Sequence, residues 1–124
     1  MARRLYVLCV ALICVGVLAA LGAEPQAQTF DLQIRQCQLV EHQGPIRVKQ
    51  GDAVTLRWRI DETVKLHLHR YDIEQVGKPE KPAVFAFKAY ASSRFPITAH
   101  GFGAPGHGSG HAETVLVYLE VLPP

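Results

Sequence analysis

Two histidines stand one residue apart in "LHLHRYDIE", residues 66–74. On a regular strand, side chains alternate between faces, so His67 and His69 share one face with Cα atoms about 7 Å apart. Neutral imidazole is a borderline ligand suited to Cu(II), Zn(II) and Ni(II). The pair can therefore chelate a single ion. The same pattern also carries a plainer reading. If Leu66 and Leu68 face a core, His67 and His69 are ordinary outward-facing strand residues. If His67, His69, Tyr71 and Ile73 face the core instead, an imidazole needs a carboxylate to satisfy it. Strict alternation puts Asp72 and Glu74 on the face opposite the histidines, where they are poor partners without a bulge. Three more histidines lie downstream: His100 at the end of "RFPITAH", then His107 and His111 within "HGFGAPGHGSGH", 100–111. That Gly/His segment is either a loop that folds over an ion, which its glycines permit, or a solvated linker.

The elements that position these residues read as strands throughout. No amphipathic helix is evident, and apolar and β-branched residues alternate instead. Seven segments carry the alternation: "FDLQIRQCQLV", "IRV" (46–48), "AVTLRWRI" (53–60), "VKLHLHRYDIE", "AVFAFKAY" (83–90), "RFPITAH" (94–100) and "TVLVYLEV" (114–121). Turn-forming runs separate them: "QGD" at 50–52, "DET" at 61–63, "GKPEKP" at 77–82 and "ASS" at 91–93. In the first strand Phe30, Leu32, Ile34 and Cys37 point inward; in the third, Val54, Leu56, Trp58 and Ile60 do. About seven short strands without a helix predict an all-β sandwich or small barrel. Pro96 inside "RFPITAH" predicts a sheet edge or a bulge there.

The first 23 residues stand apart. Arg3 and Arg4 precede an uncharged apolar run, 5–23, followed by the polar "EPQAQ". This is the order of a secretory signal peptide, cleaved after Ala23, with an uncleaved N-terminal membrane anchor as the alternative. Residues 24–124 are then one small domain, placed in the periplasm, secreted, or held at the membrane's outer face. Of the 13 Lys and Arg, Arg3 and Arg4 fall in the leader, and the remainder balances the 11 Asp and Glu. A neutral domain with no basic run excludes nucleic acid as the expected partner and leaves a metal ion and a periplasmic or membrane protein. Cys9 and Cys14 leave with the leader, so Cys37 has no partner for a disulfide within the remaining chain. Its strand context reads as a small buried hydrophobe.

In order along the chain, "VKQGDAVTLRW", "LHLHRYDIE", a Lys/Pro turn, "AVFAFKAYASSRFPITAH" and "VLVYLEVLP" resemble the cupredoxin-like domains of secreted bacterial proteins, over nearly all of 24–124. The resemblance implies a Greek-key β-sandwich. It is closest to a divergent subgroup with "HxHxYD" and "RFPI-x-x-H", in which Gly often follows the second His; here that residue is Arg70. A blue copper site needs two His, a Cys thiolate and usually a weak axial Met. This chain has no Cys or Met where the family would place them, and Met1 is its only methionine. Electron transfer of the blue-copper type is therefore not expected. What the resemblance implies instead is an all-imidazole cluster. His67 and His69 come from one strand, His100 from the end of the penultimate strand, and His107 or His111 from the loop. The expected function is binding and handling of copper, as Cu(II), without catalysis. The alternative is a metal-free interaction sandwich that has lost the site.

Other motifs carry little. "GFGAPG" fits a dinucleotide fingerprint in spacing, but a strand and not a helix follows it. No Ser sits in a nucleophile elbow. Asp61 with Glu62, and Asp72 with Glu74, read as turn and surface residues.

Overall fold

Burying one side of every strand demands two sheets face to face, and that is the arrangement found. The computed structural model describes residues 24–102 and 113–124. The leader and the loop histidines His107 and His111 lie outside the described residues. Within them the chain forms nine strands: β1 (Ala27–Arg35), β2 (Gln38–Val40), β3 (Ile46–Lys49), β4 (Ala53–Ile60), β5 (Val64–Leu68), β6 (Ile73–Gly77), β7 (Ala83–Lys88), β8 (Ser93–His100) and β9 (Glu113–Leu122). A four-stranded sheet runs β2-β1-β4-β7 and a five-stranded sheet runs β3-β9-β8-β5-β6. Pairing is antiparallel except for β1 with β4 and β3 with β9. This is the all-β, cupredoxin-like sandwich that the resemblance implied.

The core follows the alternation. Leu32 and Ile34 of β1, Val54, Leu56, Trp58 and Ile60 of β4, and Leu66 and Leu68 of β5 are buried. Phe85, Ile97 and Leu119 complete the centre from β7, β8 and β9, fully inaccessible to solvent. Trp58 packs its ring on Phe85 with centroids 5.8 Å apart.

Seven expected strands become nine because two of them are hairpins. "FDLQIRQCQLV" turns back at Gln36 and Cys37, which sit between the paired Arg35 and Gln38 with φ of 49° and 64°. Two consecutive residues at positive φ closing a two-residue loop make a type I′ turn, which normally advertises itself by Asn-Gly. Cys37 is consequently a half-buried turn residue and not a core strand residue. Its thiol donates to Glu62 Oε1 at 3.2 Å. That bond, with burial and the nearby carboxylates, pushes the thiol pKa up, so it is held as the unreactive thiol. "VKLHLHRYDIE" likewise breaks after Leu68 and returns as β6, with Arg70 at φ 76° and Asp72 at φ 51°.

Pro96 marks a bulge and not an edge. β8 is central, between β9 and β5. Its pairing with β9 steps from Ile97↔Val117 to Thr98↔Val115, which leaves Leu116 as an extra residue on β9.

Asp52 ties the two sheets together where "QGD" was read as a turn. Its carboxylate accepts from the backbone N–H of Gln26 at 2.9 Å, the backbone N–H of Lys49 at 2.9 Å and Gln28 Nε2 at 2.6 Å. Gly51, at φ 100°, supplies the left-handed residue beside it. The two backbone bonds hold the Asp52 carboxyl below the usual range for an aspartate. A depressed folded-state pKa gives stability that is present above the unfolded value of about 3.9 and is lost as pH falls through the folded value. Asp52→Asn puts an NH2 group either against the Gln26 donor or against the Lys49 and Gln28 donors. It is expected to lower Tm at pH 7 by about 5–10 °C, and to flatten the fall in stability that sets in as pH drops below about 4. Thermal unfolding at pH 7 checks the first, and urea unfolding at successively lower pH checks the second.

Candidate metal centre

β5 buries Leu66 and Leu68 at 0% exposure, which settles the orientation of the histidines between and after them. His67 points to the outer face of the five-stranded sheet and is half-buried. His69 lies just beyond β5, yet its backbone N–H still donates to Pro96 O at 3.2 Å, so the ladder with β8 holds it in line. The two imidazoles stand 4.1 Å apart between centroids, tilted by 38°.

The chain then turns sharply, and aromatic packing anchors the turn. Tyr71 contacts Phe87 at 4.9 Å, Tyr90 at 4.8 Å and Phe95 at 5.4 Å between centroids. Its hydroxyl donates to Ala91 O at 3.3 Å, and Tyr90 donates to Arg70 O at 3.1 Å. Reversal of the chain also corrects the facing of Glu74. It pairs with His67 across β5 and β6 and so shares the outer face. There it meets Lys65 Nζ at 3.3 Å and stays out of the histidine group.

β8 and β9 supply the rest. Thr98 lies opposite His67, and His100 opposite Lys65. Thr98 is 2% exposed although it sits on the outer face, because the cluster covers it. β9 brings Glu113, the partner of His100 in the ladder. Tyr118, on the outer face, and Glu113 are five positions apart and by simple alternation would face opposite ways. The extra residue at Leu116 restores the parity and turns Glu113 outward. The sequence reading began the last strand at Thr114 and so missed Glu113; the available signals were Pro96 in the partner strand and the carboxylate at the start of β9.

One ligand atom from each of His67, His69 and Glu113 lies within 4.8 Å of the other two. Glu113 Oε1 is the hub: Thr98 Oγ1 donates to it at 2.6 Å, His69 Nε2 stands 2.7 Å away, and His100 Nε2 3.4 Å away. His69 Nε2 also lies 3.0 Å from Thr98 Oγ1. The Thr98 hydroxyl has one proton and spends it on the carboxylate, so the proton between His69 and Glu113 belongs to the imidazole. Hydrogen bonds from Thr98 first and His69 second hold the Glu113 carboxyl below its ordinary range, and the neighbouring imidazoles of His69 and His100 act in the same direction. The structure thus brings His67, His69 and His100 to one patch around a carboxylate.

Ions bound through nitrogen and oxygen at about 2 Å set donor–donor separations of roughly 3–4 Å. The three donors lie within 4.8 Å of one another, an outer bound somewhat wider than that range. Two imidazoles and one carboxylate on an open sheet face leave room for a further ligand.

Comparison with known proteins places the fold. No protein-family model matches the chain, and no curated protein matches it. Among solved structures, a chain from a cryo-EM structure of a heme-copper terminal oxidase dimer superimposes with a TM-score of 0.54 at 15% identity. The match covers 78% of this chain and 65% of the other, so this chain spans about two thirds of its neighbour's length. Identity this low shows a shared fold. Among the described residues, no helix is long and apolar enough to cross a membrane.

Arg70, the residue after His69, sits where the chain turns. Its φ of 76° is left-handed, which costs a residue with a Cβ about 1–2 kcal/mol. Arg70→Gly removes that cost but adds unfolded-state freedom, for an expected net gain of up to about 1 kcal/mol. Arg70→Val, β-branched, is expected to lose about 1–2 kcal/mol instead. Urea titrations of the two variants should shift the midpoint in opposite directions.

Proposed function

We propose that this protein is an exported copper(II)-binding module that holds its ion among His67, His69 and Glu113, with His100 at the flank, and that it handles copper without catalysing a reaction. The observation that carries the reading is the convergence of three ligand atoms within 4.8 Å of one another on one sheet face. Imidazole with carboxylate suits a divalent ion of the Cu(II) or Zn(II) kind. The preference for copper rests on the resemblance in the strand motifs and on the fold shared with a chain of a heme-copper oxidase. Blue-copper electron transfer does not fit. Cys37, the only cysteine outside the leader run, is bonded to Glu62 and is not in the cluster. A partner at the outer face of a membrane, to which copper is delivered or from which it is taken, fits an exported module. The loop histidines His107 and His111 remain candidate fourth ligands on the sequence reading alone.

Thr98 fixes Glu113 through its hydroxyl, the usual service of a hydrogen-bonding neighbour to a ligand. Metal binding through His69 Nε2 would displace its hydrogen bond to Glu113, with the ring proton then carried on Nδ1.

The same contacts favour a second reading, a metal-free interaction sandwich, since Thr98 and His69 already satisfy Glu113 without an ion. Titration of the purified protein with Cu(II), followed by calorimetry and electron paramagnetic resonance, separates the two. A copper module gives one-to-one binding with nitrogen hyperfine structure. Affinity falls at least about 100-fold in His67→Ala/His69→Ala, and about 10–100-fold in Glu113→Gln and in Thr98→Val. Weak binding that none of these changes alters leaves the metal-free reading.

A further inference from the structure

A groove away from the histidine cluster is built from strand edges. β8 pairs with β9 along its length, but β3 covers the other edge of β9 only from Leu119 to Leu122. Residues 114–118 therefore keep one edge without a neighbouring strand among the described residues. Pro45 stands immediately before β3 and has no N–H with which to continue the ladder. Across from this bare edge, β2, the outermost strand of the other sheet, contributes Gln38 and Leu39 to the facing wall. Between them lies a groove of about 640 Å³.

Its chemistry is one-sided. Val115 and Tyr118 line it while 48% and 38% exposed. The Arg94 guanidinium lies 4.3 Å over the Tyr118 ring, which holds the fork of N–H groups in place. His42 Nε2 is buried there with no hydrogen-bond partner. No Asp or Glu lines the groove.

An unpaired strand edge with apolar seats beside it is a template for strand addition. A fixed guanidinium with no acid in the groove selects a carboxylate. We infer that this groove binds an extended segment of a partner polypeptide that carries an Asp or Glu. The segment adds its backbone to β9 beside residues 114–118 and sets its carboxylate against Arg94. The bulge at Leu116 bends this edge, so the added strand is short, about five residues at 3.3 Å each. The binding is independent of the metal reading, and the test is run without metal.

The probe is a blocked hexapeptide of alternating Val and Thr with one central Glu, titrated into the ¹⁵N-labelled protein. Saturable shifts centred on residues 114–118 are expected. Arg94→Glu, an exposed substitution, should weaken this peptide at least about tenfold and favour its Lys counterpart. Of two peptides N-methylated at the odd or at the even amides, one should lose binding and the other keep it, because only alternate amides face the strand. Absence of binding, shifts centred elsewhere, any other methylation pattern, or affinity indifferent to Arg94→Glu overturns the inference. So does a dimer in sedimentation whose interface maps to residues 114–118, which would assign the edge to a second copy of this chain.

Discussion

A strand has only two directions in which to send side chains, and Leu66 and Leu68 take one of them completely. Their burial fixes His67 outward and sets the line that His69 continues. The core therefore determines the site. The same rule acts on β8, where Phe95, Ile97 and Ala99 go inward and leave Thr98 and His100 on the face that receives the imidazoles. Thr98 is buried on that outer face because the side chains around it close over it. A hydroxyl in such a place must be bonded, and Glu113 is what it bonds.

β9 carries more of the molecule's chemistry than any other strand. One of its faces fills the core through Val117, Leu119 and Val121. Its other face brings the carboxylate to the histidines. One edge is paired throughout, and the opposite edge is paired only where β3 reaches. Faces and edges of a strand are perpendicular, so the candidate metal centre and the groove can share β9 without competing for atoms.

The features legible in the sequence were those that follow from period-two burial, the sandwich and its core; the facing of the histidines stayed open until Leu66 and Leu68 were placed inside. "AVTLRWRI" is the clearest case, with all four of its predicted inward residues buried. What escaped was set by backbone twist and residue count. Gln36 and Cys37 form a tight turn without the Asn or Gly that usually signals one, so β1 and β2 read as one strand and Cys37 as a core residue. Arg70 and Asp72 hid the β5–β6 turn in the same way, and that concealed the facing of Glu74. Glu113 escaped because the last strand was read from Thr114, one residue short of it, and simple parity with Tyr118 would also have turned it inward. Proline in the neighbouring strand hinted at an irregularity but could not say which strand carried the extra residue. The Tyr71 cluster had no period to reveal it, since its members come from three separate segments.

The extra residue at Leu116 makes the composition of the cluster a matter of counting. The ladder from Val117 onward holds the core in register whatever precedes it. A residue inserted between Glu113 and Thr114 would take the place opposite His100 and push the carboxylate one step along, onto the other face. The buried side chains would not move. Length variation at the start of β9 can thus exchange the acidic group of the cluster for any other side chain in a single event, at little expense to folding. In a lineage of such sandwiches, the identity of the site would then diverge by short insertions and deletions sooner than by substitution.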